Sequence, residues 1–200
     1  MMDQLSLFPN EGYDFPQDLV DFHEGYVSHD DADALFNLLL EKAPWQQTSR
    51  MMYDRSVLTP RLTAWYGDHS EYKLGNKPIK ANVWLPELFE LKKRIEKQFK
   101  CRFNSVLLNL YRDHNDSVAW HRDRESELGN RPVIASLSLG QQRNFDFRNI
   151  NDHSKKYSIA LSHGSLLLMK GKLQEEWEHR IAKSTRGMKP RINLTFRLII

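Results

Sequence analysis

The stretch Arg191-Ile-Asn193-Leu-Thr195-Phe-Arg197 alternates polar and apolar side chains without a break. Successive side chains of a β-strand point to opposite faces. Arg191, Asn193, Thr195 and Arg197 therefore share one face, and Ile192, Leu194, Phe196 and Leu198 the other. The apolar row suits a core. The polar row sets two guanidiniums along one inner surface, which costs free energy unless an anion lies between them. A dicarboxylate would satisfy both, so this strand is expected to floor a site for a small acid.

Upstream, His121-Arg-Asp123 puts an imidazole and a carboxylate two residues apart, so both can aim at one point from an extended segment. A third ligand from far along the chain completes the two-His, one-carboxylate set that binds non-haem Fe(II) and leaves positions open for oxygen and substrate. His179 is the best third ligand, because it lies beside Trp177 in an alternating segment and precedes the arginine strand at short range. A His-x-Asp tripeptide alone is a common surface feature. Followed by a distant His and by Arg-x-Asn-x-Thr-x-Arg, it becomes a specific pattern. A structural zinc site fits less well, with three mixed ligands and no cysteine set.

Five more segments go with these residues: Asn109-Leu-Tyr111, Pro60-Arg61 to Tyr66-Gly67-Asp68, Ala135-Ser-Leu-Ser-Leu-Gly140, Phe145-Asp-Phe-Arg148 and His163-Gly-Ser165. In all of them the chain resembles the AlkB-type dioxygenases, which use iron and 2-oxoglutarate to demethylate nucleic-acid bases. The resemblance runs from about Ala32 to the C-terminus and is greatest to the branch that repairs alkylated duplex DNA. It implies a mainly β fold with flanking helices (α+β) around a double-stranded β-helix, or jelly-roll, core. It implies Fe(II) on His121, Asp123 and His179, with 2-oxoglutarate and O2 as co-substrates. Asn109 and Tyr111 would hold 2-oxoglutarate, Arg191 its far carboxylate and Arg197 the keto-acid end, with Asn193 and Thr195 completing the hydrogen bonds.

The implied reaction is oxidative demethylation of N1-methyladenine and N3-methylcytosine in DNA, releasing formaldehyde, succinate and CO2. A base inside a duplex must be flipped out to reach a buried metal. The resemblance places Tyr66 in the base pocket, Tyr72 near it and Glu125 at the base edge. It places Tyr53 at the tip of an intercalating finger that fills the gap. Asp54 stands where that branch favours Gly, and Tyr53 is more polar than its usual Phe.

At 200 residues the chain suits one domain with a substantial core. No apolar run approaches the ~20 residues of a membrane helix, so no membrane partner is expected. The N-terminus lacks a basic-then-apolar signal pattern, and Cys101 is the sole cysteine, which excludes internal disulfides. A reducing compartment is expected: the bacterial cytoplasm, or the nucleus in a eukaryote. The net charge of +3 is modest, so nucleic-acid binding has to come from placement. Arg50, Arg55 and Arg61, then Lys155 and Lys156, then Lys183, Arg186 and Lys189 are candidate phosphate contacts, Arg61 counting with the substrate residues. Binding through them should weaken steeply with salt. A monomer is expected.

Along the chain, residues 1–28 are expected to be a flexible segment and 29–200 a single dioxygenase domain. Within that domain, about 45–80 would recognise the nucleotide and 101–200 form the jelly roll. Ser28 can cap a helix over Asp30–Ala43, with acidic residues at its positive end. Pro86 opens a second helix to about Phe99, with Leu88, Leu91, Ile95 and Phe99 on one face and Lys92, Lys93, Glu96 and Lys97 toward water. Alternation then marks eight strands: Ser105–Tyr111, Val118–His121, Val133–Leu139, Asn144–Phe147, Tyr157–Leu161, Ser165–Met169, Trp177–Arg180 and Arg191–Ile199. In the first of these, Leu107, Asn109 and Tyr111 share a face.

One feature lies outside the catalytic region. Gln4-Leu5-Ser6-Leu7-Phe8 resembles the short peptide by which bacterial replication and repair proteins bind the sliding clamp. Gln4, Leu5, Leu7 and Phe8 would fill the groove. Two other functions stand beside DNA demethylation: an AlkB-like enzyme acting on RNA or protein, and a non-catalytic nucleic-acid-binding jelly roll. The complete set of His121, Asp123, His179, Arg191 and Arg197 speaks against lost turnover.

Overall fold

Period-two burial sorts most strands of this chain into two facing sheets. The computed structural model describes residues 14–52, 55–74 and 77–200. In chain order the elements begin with β1 (Val20–His23), α1 (His29–Lys42), β2 (Ser49–Met52), β3 (Arg55–Leu58), β4 (Leu62–Gly67), β5 (Glu71–Leu74) and β6 (Lys77–Lys80). They continue with α2 (Pro86–Phe99), β7 (Ser105–Tyr111), β8 (Val118–His121), β9 (Ile134–Gly140), β10 (Arg143–Asn149) and β11 (Lys156–Leu161). The last are β12 (Leu166–Met169), the single-turn α3 (Leu173–Glu176), β13 (Trp177–Ile181) and β14 (Arg191–Arg197).

The larger sheet runs β1-β12-β9-β14-β7-β4 and the smaller β11-β10-β13-β8. All their pairings are antiparallel. Two four-stranded halves facing each other make the jelly roll, widened by β1 and β4 at the edges of the larger sheet. Two hairpins, β2-β3 and β5-β6, stand apart from both sheets.

The helices cover the outer face of the larger sheet. Ser28 caps α1 as expected, its Oγ accepting from the Asp31 N–H at 3.2 Å. Helix α2 starts at Pro86 and stops at Lys100, which turns into the left-handed region at φ 52°. Leu88, Leu91 and Ile95 of α2, with Ala32 and Leu39 of α1, bury against Val106, Leu108, Leu137, Ile192, Leu194 and Phe196. Each fully buried Leu, Ile, Val or Phe side chain among them contributes roughly 1.5–3 kcal/mol. Lys92 departs from the expected solvent face. It is buried, pairing with Glu96 at 3.1 Å, with its ammonium near the Trp84 and Phe89 rings. Its long stem covers apolar surface while the charge finds a partner one turn on.

A second core fills the space between the sheets, built by Phe145, Phe147, Ile159, Leu161, Leu167, Met169, Trp177 and Ile181. It also holds Leu19, Val20 and Phe22, from the segment expected to be flexible. Residues 20–23 instead form the edge strand, with Val20 opposite Met169 and His23 opposite Leu166. Four residues alternate too briefly to announce a strand, and only a partner some 150 residues away in sequence stabilises this one. The jelly-roll sheet therefore draws β1 and β4 from outside 101–200.

Candidate active site

Strands β8 and β13 lie side by side with His121 directly opposite His179. That pairing sets the two imidazoles 4.3 Å apart between ring centroids. Asp123 follows two residues beyond β8, its Oδ1 3.8 Å from His121 Nε2. The three ligand atoms all lie within 4.8 Å of one another. His121 Nδ1 is 2.9 Å from the Ala119 carbonyl. A carbonyl only accepts, so the proton sits on Nδ1 and the Nε2 lone pair faces Asp123, ready for a metal. Asp123 and His179 are buried, whereas His121 is partly exposed and leaves the set open on one side.

Burial alone would raise the Asp123 carboxyl. The Arg197 guanidinium at 2.9 Å overcomes it, aided by the two histidines, and holds Asp123 down to about 2. Burial, then the neighbouring His121, depresses His179 to about 3. Each group is thus in its ligating form, carboxylate or neutral imidazole, at any ordinary pH. The Asp123 N–H is itself fastened to Gln174 Oε1 at 2.9 Å.

The polar row of β14 continues the site inward. Arg191, Asn193, Thr195 and Arg197 line a cavity of about 650 Å³ together with Asn109, Tyr111 and the His-Asp-His group. Arg191 is only 1% exposed. Its Nη2 donates to Ser138 Oγ at 2.9 Å and to Asn193 Oδ1 at 3.0 Å, and its guanidinium lies over the Tyr111 ring. Asn193 Nδ2 donates to Thr195 Oγ1 at 2.7 Å, and Ser136 Oγ to Asn193 Oδ1 at 2.8 Å. Burial pulls Arg191 down to about 10, so it remains a cation at neutral pH. Its Nε and Nη1, with Arg197 Nε, are buried without a hydrogen-bond partner. Unpaired buried donors on cations call for acceptors with negative charge. The donor set therefore fits a dicarboxylate reaching from Arg191 toward the metal ligands, and His2Asp with an open side fits Fe(II).

Among the described residues, His29, Asp33 and His163 form a second group of metal-ligating types. The Gly140 N–H donates to His163 Nδ1 at 2.7 Å, so the neutral ring carries its proton on Nε2, toward Asp33 at 3.3 Å. That nitrogen has no free lone pair for a metal.

Of the residues expected to contact a base, Tyr66 and Tyr72 pack away from the cavity and Arg61 turns inward. Tyr66 is 2% exposed and faces the core beneath the helices, not the cavity. Tyr72 is buried against Gly67, where no Cβ would fit. Its hydroxyl donates to the Asn104 carbonyl at 2.6 Å and accepts from the His69 N–H at 3.1 Å. The ring on the cavity face is Trp65, whose neighbour across the pairing is Leu107. Parity explains the exchange: 63 and 65 share the face of Asn109, while 64 and 66 pack outward. Arg61 reaches the cavity but turns inward, onto Asn109 and the Ser117 carbonyl. Glu125 lines the cavity, with Oε2 buried and unpartnered. Tyr53, expected at a finger tip, and Gln4, Leu5, Leu7 and Phe8 of the expected clamp-binding peptide lie outside the described residues.

The cavity mouth is framed by Val57 and Leu58, 45% and 61% exposed, and by Lys183. Gln174 is a neighbour of the site that no local motif marks, and Ser136 and Ser138 lie in the segment 135–140, whose resemblance assigned them no role. Only the pairing of β9 with β14 and the approach of α3 to Asp123 reveal them.

Jelly rolls that carry such a triad above a buried arginine strand are the frames of oxygenases pairing a ferrous ion with a 2-oxo acid. Residues 20–197 match the 2OG-Fe(II) oxygenase superfamily, and the chain belongs to it. It is 41% identical over 186 residues to a mouse (Mus musculus) protein named alpha-ketoglutarate-dependent dioxygenase alkB homolog 3, covering 88% of this chain and 65% of that one. It is 34% identical over 193 residues to the Arabidopsis thaliana DNA oxidative demethylase ALKBH2, covering 82% and 61%. The chain thus spans about two-thirds or less of the length of these curated relatives. A solved structure titled "The structure of OsALKBH1" shares the fold, with a TM-score of 0.67 over 92% of this chain and 98% of that chain at 16% identity. Fe(II), 2-oxoglutarate and O2 are the cofactor and co-substrates of the family.

Proposed function

We propose that this chain demethylates alkylated bases in DNA, N1-methyladenine and N3-methylcytosine, oxidatively and with release of formaldehyde. One observation carries the reading: unpaired Arg191 and Arg197 donors share a cavity with His121, Asp123 and His179. The relatives' names point the same way.

His121, Asp123 and His179 would hold the iron, and Arg191 the far carboxylate of 2-oxoglutarate beside Tyr111 and Asn109. When bound, Fe(II), 2-oxoglutarate and O2 supply the oxidising chemistry, and the protein supplies geometry and exclusion of water. Arg197 keeps Asp123 ionised and oriented. On the substrate side a flipped base enters past Val57 and Leu58. It meets the Trp65 ring and presents its edge to Glu125, whose unpartnered oxygen can accept from an exocyclic amine. Lys183 at the mouth, with exposed Arg186 and Lys189 in the same loop, is placed to meet phosphates. Duplex DNA is the proposed substrate, with Tyr53 as the wedge. Gln4-Leu5-Ser6-Leu7-Phe8 is proposed as a sliding-clamp tether in a bacterial cytoplasm.

The test is incubation with Fe(II), 2-oxoglutarate, ascorbate and single- or double-stranded oligonucleotides bearing N1-methyladenine. Formaldehyde release that Asp123→Ala abolishes supports the reading. Turnover on ribo-oligonucleotides alone would replace DNA by RNA. Absence of turnover on any nucleic acid, with 2-oxoglutarate still bound, would overturn the demethylase reading.

A further inference from the structure

Arg61 sits where the chain leaves the β2-β3 hairpin and enters β4. Its Nε donates to Asn109 Oδ1 at 2.8 Å and its Nη1 to the Ser117 carbonyl at 3.3 Å. The same corner is fastened again, because the Ser117 N–H donates to the Pro60 carbonyl at 2.9 Å. The hairpin stem closes just above, the Thr59 N–H donating to the Thr48 carbonyl at 2.8 Å. One side chain therefore joins the mouth hairpin, the cavity-lining Asn109 of β7, and the residue that leads into β8 and His121.

The Asn109 bond has a chemical consequence. A carboxamide offers one accepting oxygen and one donating nitrogen. With Oδ1 held by a guanidinium, Asn109 turns its NH2 group to the cavity, the end a carboxylate needs. The opposite orientation would set Oδ1 against a negative charge. Arg61 thus decides which end of the amide meets the co-substrate.

We propose that Arg61 is a positioning residue that couples the mouth hairpin to 2-oxoglutarate binding through Asn109. The proposal rests on 2-oxoglutarate being the ligand of the arginine strand. Because binding linkage is reciprocal, nucleic acid that engages the hairpin tightens 2-oxoglutarate, and 2-oxoglutarate tightens nucleic acid.

The experiment is calorimetric titration of 2-oxoglutarate into Mn(II)-loaded protein, with and without an oligonucleotide bearing N1-methyladenine. Wild type is compared with Arg61→Ala, Arg61→Lys, Asn109→Ala and the Arg61→Ala/Asn109→Ala double variant, and each is checked by thermal unfolding. Arg61→Ala is expected to weaken 2-oxoglutarate about tenfold, as for loss of a charge-assisted hydrogen bond, and to leave Mn(II) affinity unchanged. Arg61→Lys is expected to behave alike, since an ammonium cannot reproduce the two-point guanidinium contact. It carries the test if the alanine variant folds poorly. The double variant should bind no more weakly than Asn109→Ala alone, because both act through one contact. The oligonucleotide should tighten 2-oxoglutarate in wild type and not in either Arg61 variant.

A 2-oxoglutarate affinity within twofold of wild type in both Arg61 variants would overturn the proposal. So would losses that multiply in the double variant, or an oligonucleotide effect that survives without Arg61. Wild-type protein that binds no 2-oxoglutarate would instead remove the ligand assignment beneath it.

Discussion

The inner face of β14 and the cavity mouth around residues 48–61 are built in opposite ways. On β14 every residue from Arg191 to Arg197 is buried, and the polar ones are tied to β9, to Asp123 or, for Thr195, to Asn193. The mouth rests on the β2-β3 hairpin, whose four-residue strands lie outside both sheets, and it exposes Val57 and Leu58. A small ligand of constant shape can be met by a rigid surface, whereas an exposed mouth suits a bulkier one that has to be admitted and released. Precision lies where strands are long and paired on both sides, and adaptability where they are short.

The sharpest way to break this contrast is at the metal. Asp123→Ala should abolish metal binding and turnover, because it removes a ligand and leaves Arg197 buried without its partner. The second loss alone should cost about 3 kcal/mol of stability. Mn(II) titration and urea unfolding read the two effects separately. Metal affinity near wild type would show that Asp123 is only structural.

Next comes the far end of the floor. Arg191→Met should lower 2-oxoglutarate affinity more than a hundredfold, yet raise the stability of the ligand-free protein by about 1 kcal/mol. The reason is that it removes a buried cation with two unpaired donors. Urea midpoints with and without 2-oxoglutarate would show the ordering of the two proteins reversing.

At the mouth the effects should be smaller and specific to substrate. Trp65→Ala should weaken the methylated oligonucleotide by about 1–3 kcal/mol, the usual worth of stacking on a base. Tyr72→Phe should instead cost about 1 kcal/mol of stability through the lost Asn104 and His69 bonds. It should leave KM for DNA unchanged. The opposite result for this pair would restore the role that the family resemblance implied for Tyr72.

Acid provides the mildest probe. His179 is depressed from 6.5 to about 3, so between those values the unfolded chain takes up a proton that the folded one refuses. Stability of the metal-free protein should fall as pH drops below about 6.5, and His179→Gln should flatten that slope. Asp123 acts in the same sense lower down, from 3.8 toward about 2.

How much of this was legible depended on length and pairing. Ser105–Tyr111 and Val118–His121 have the boundaries that alternation marks, and the other six strands expected after Cys101 all exist within about two residues. The β14 row needed no partner to be understood, because seven residues of strict alternation have one consistent solution. Residues 62–67 carry aromatic side chains at both 65 and 66, so the sequence could not tell which ring faces the site. Register against β7 settles it for Trp65, since a one-residue slip would reverse every face. The edge strand 20–23 was hidden for a related reason, being held by a partner and not by its own pattern.

By itself, then, the sequence determined the chemistry: an iron triad, an arginine floor, and the strands that bear them, all set by local period and residue type. Tertiary structure alone decided which side chains meet. His121 faces His179, Gln174 holds the Asp123 backbone, and Arg61 reaches Asn109, a residue 48 positions away. Such contacts follow from strand register and loop closure across the whole fold, and no local stretch of chain encodes them.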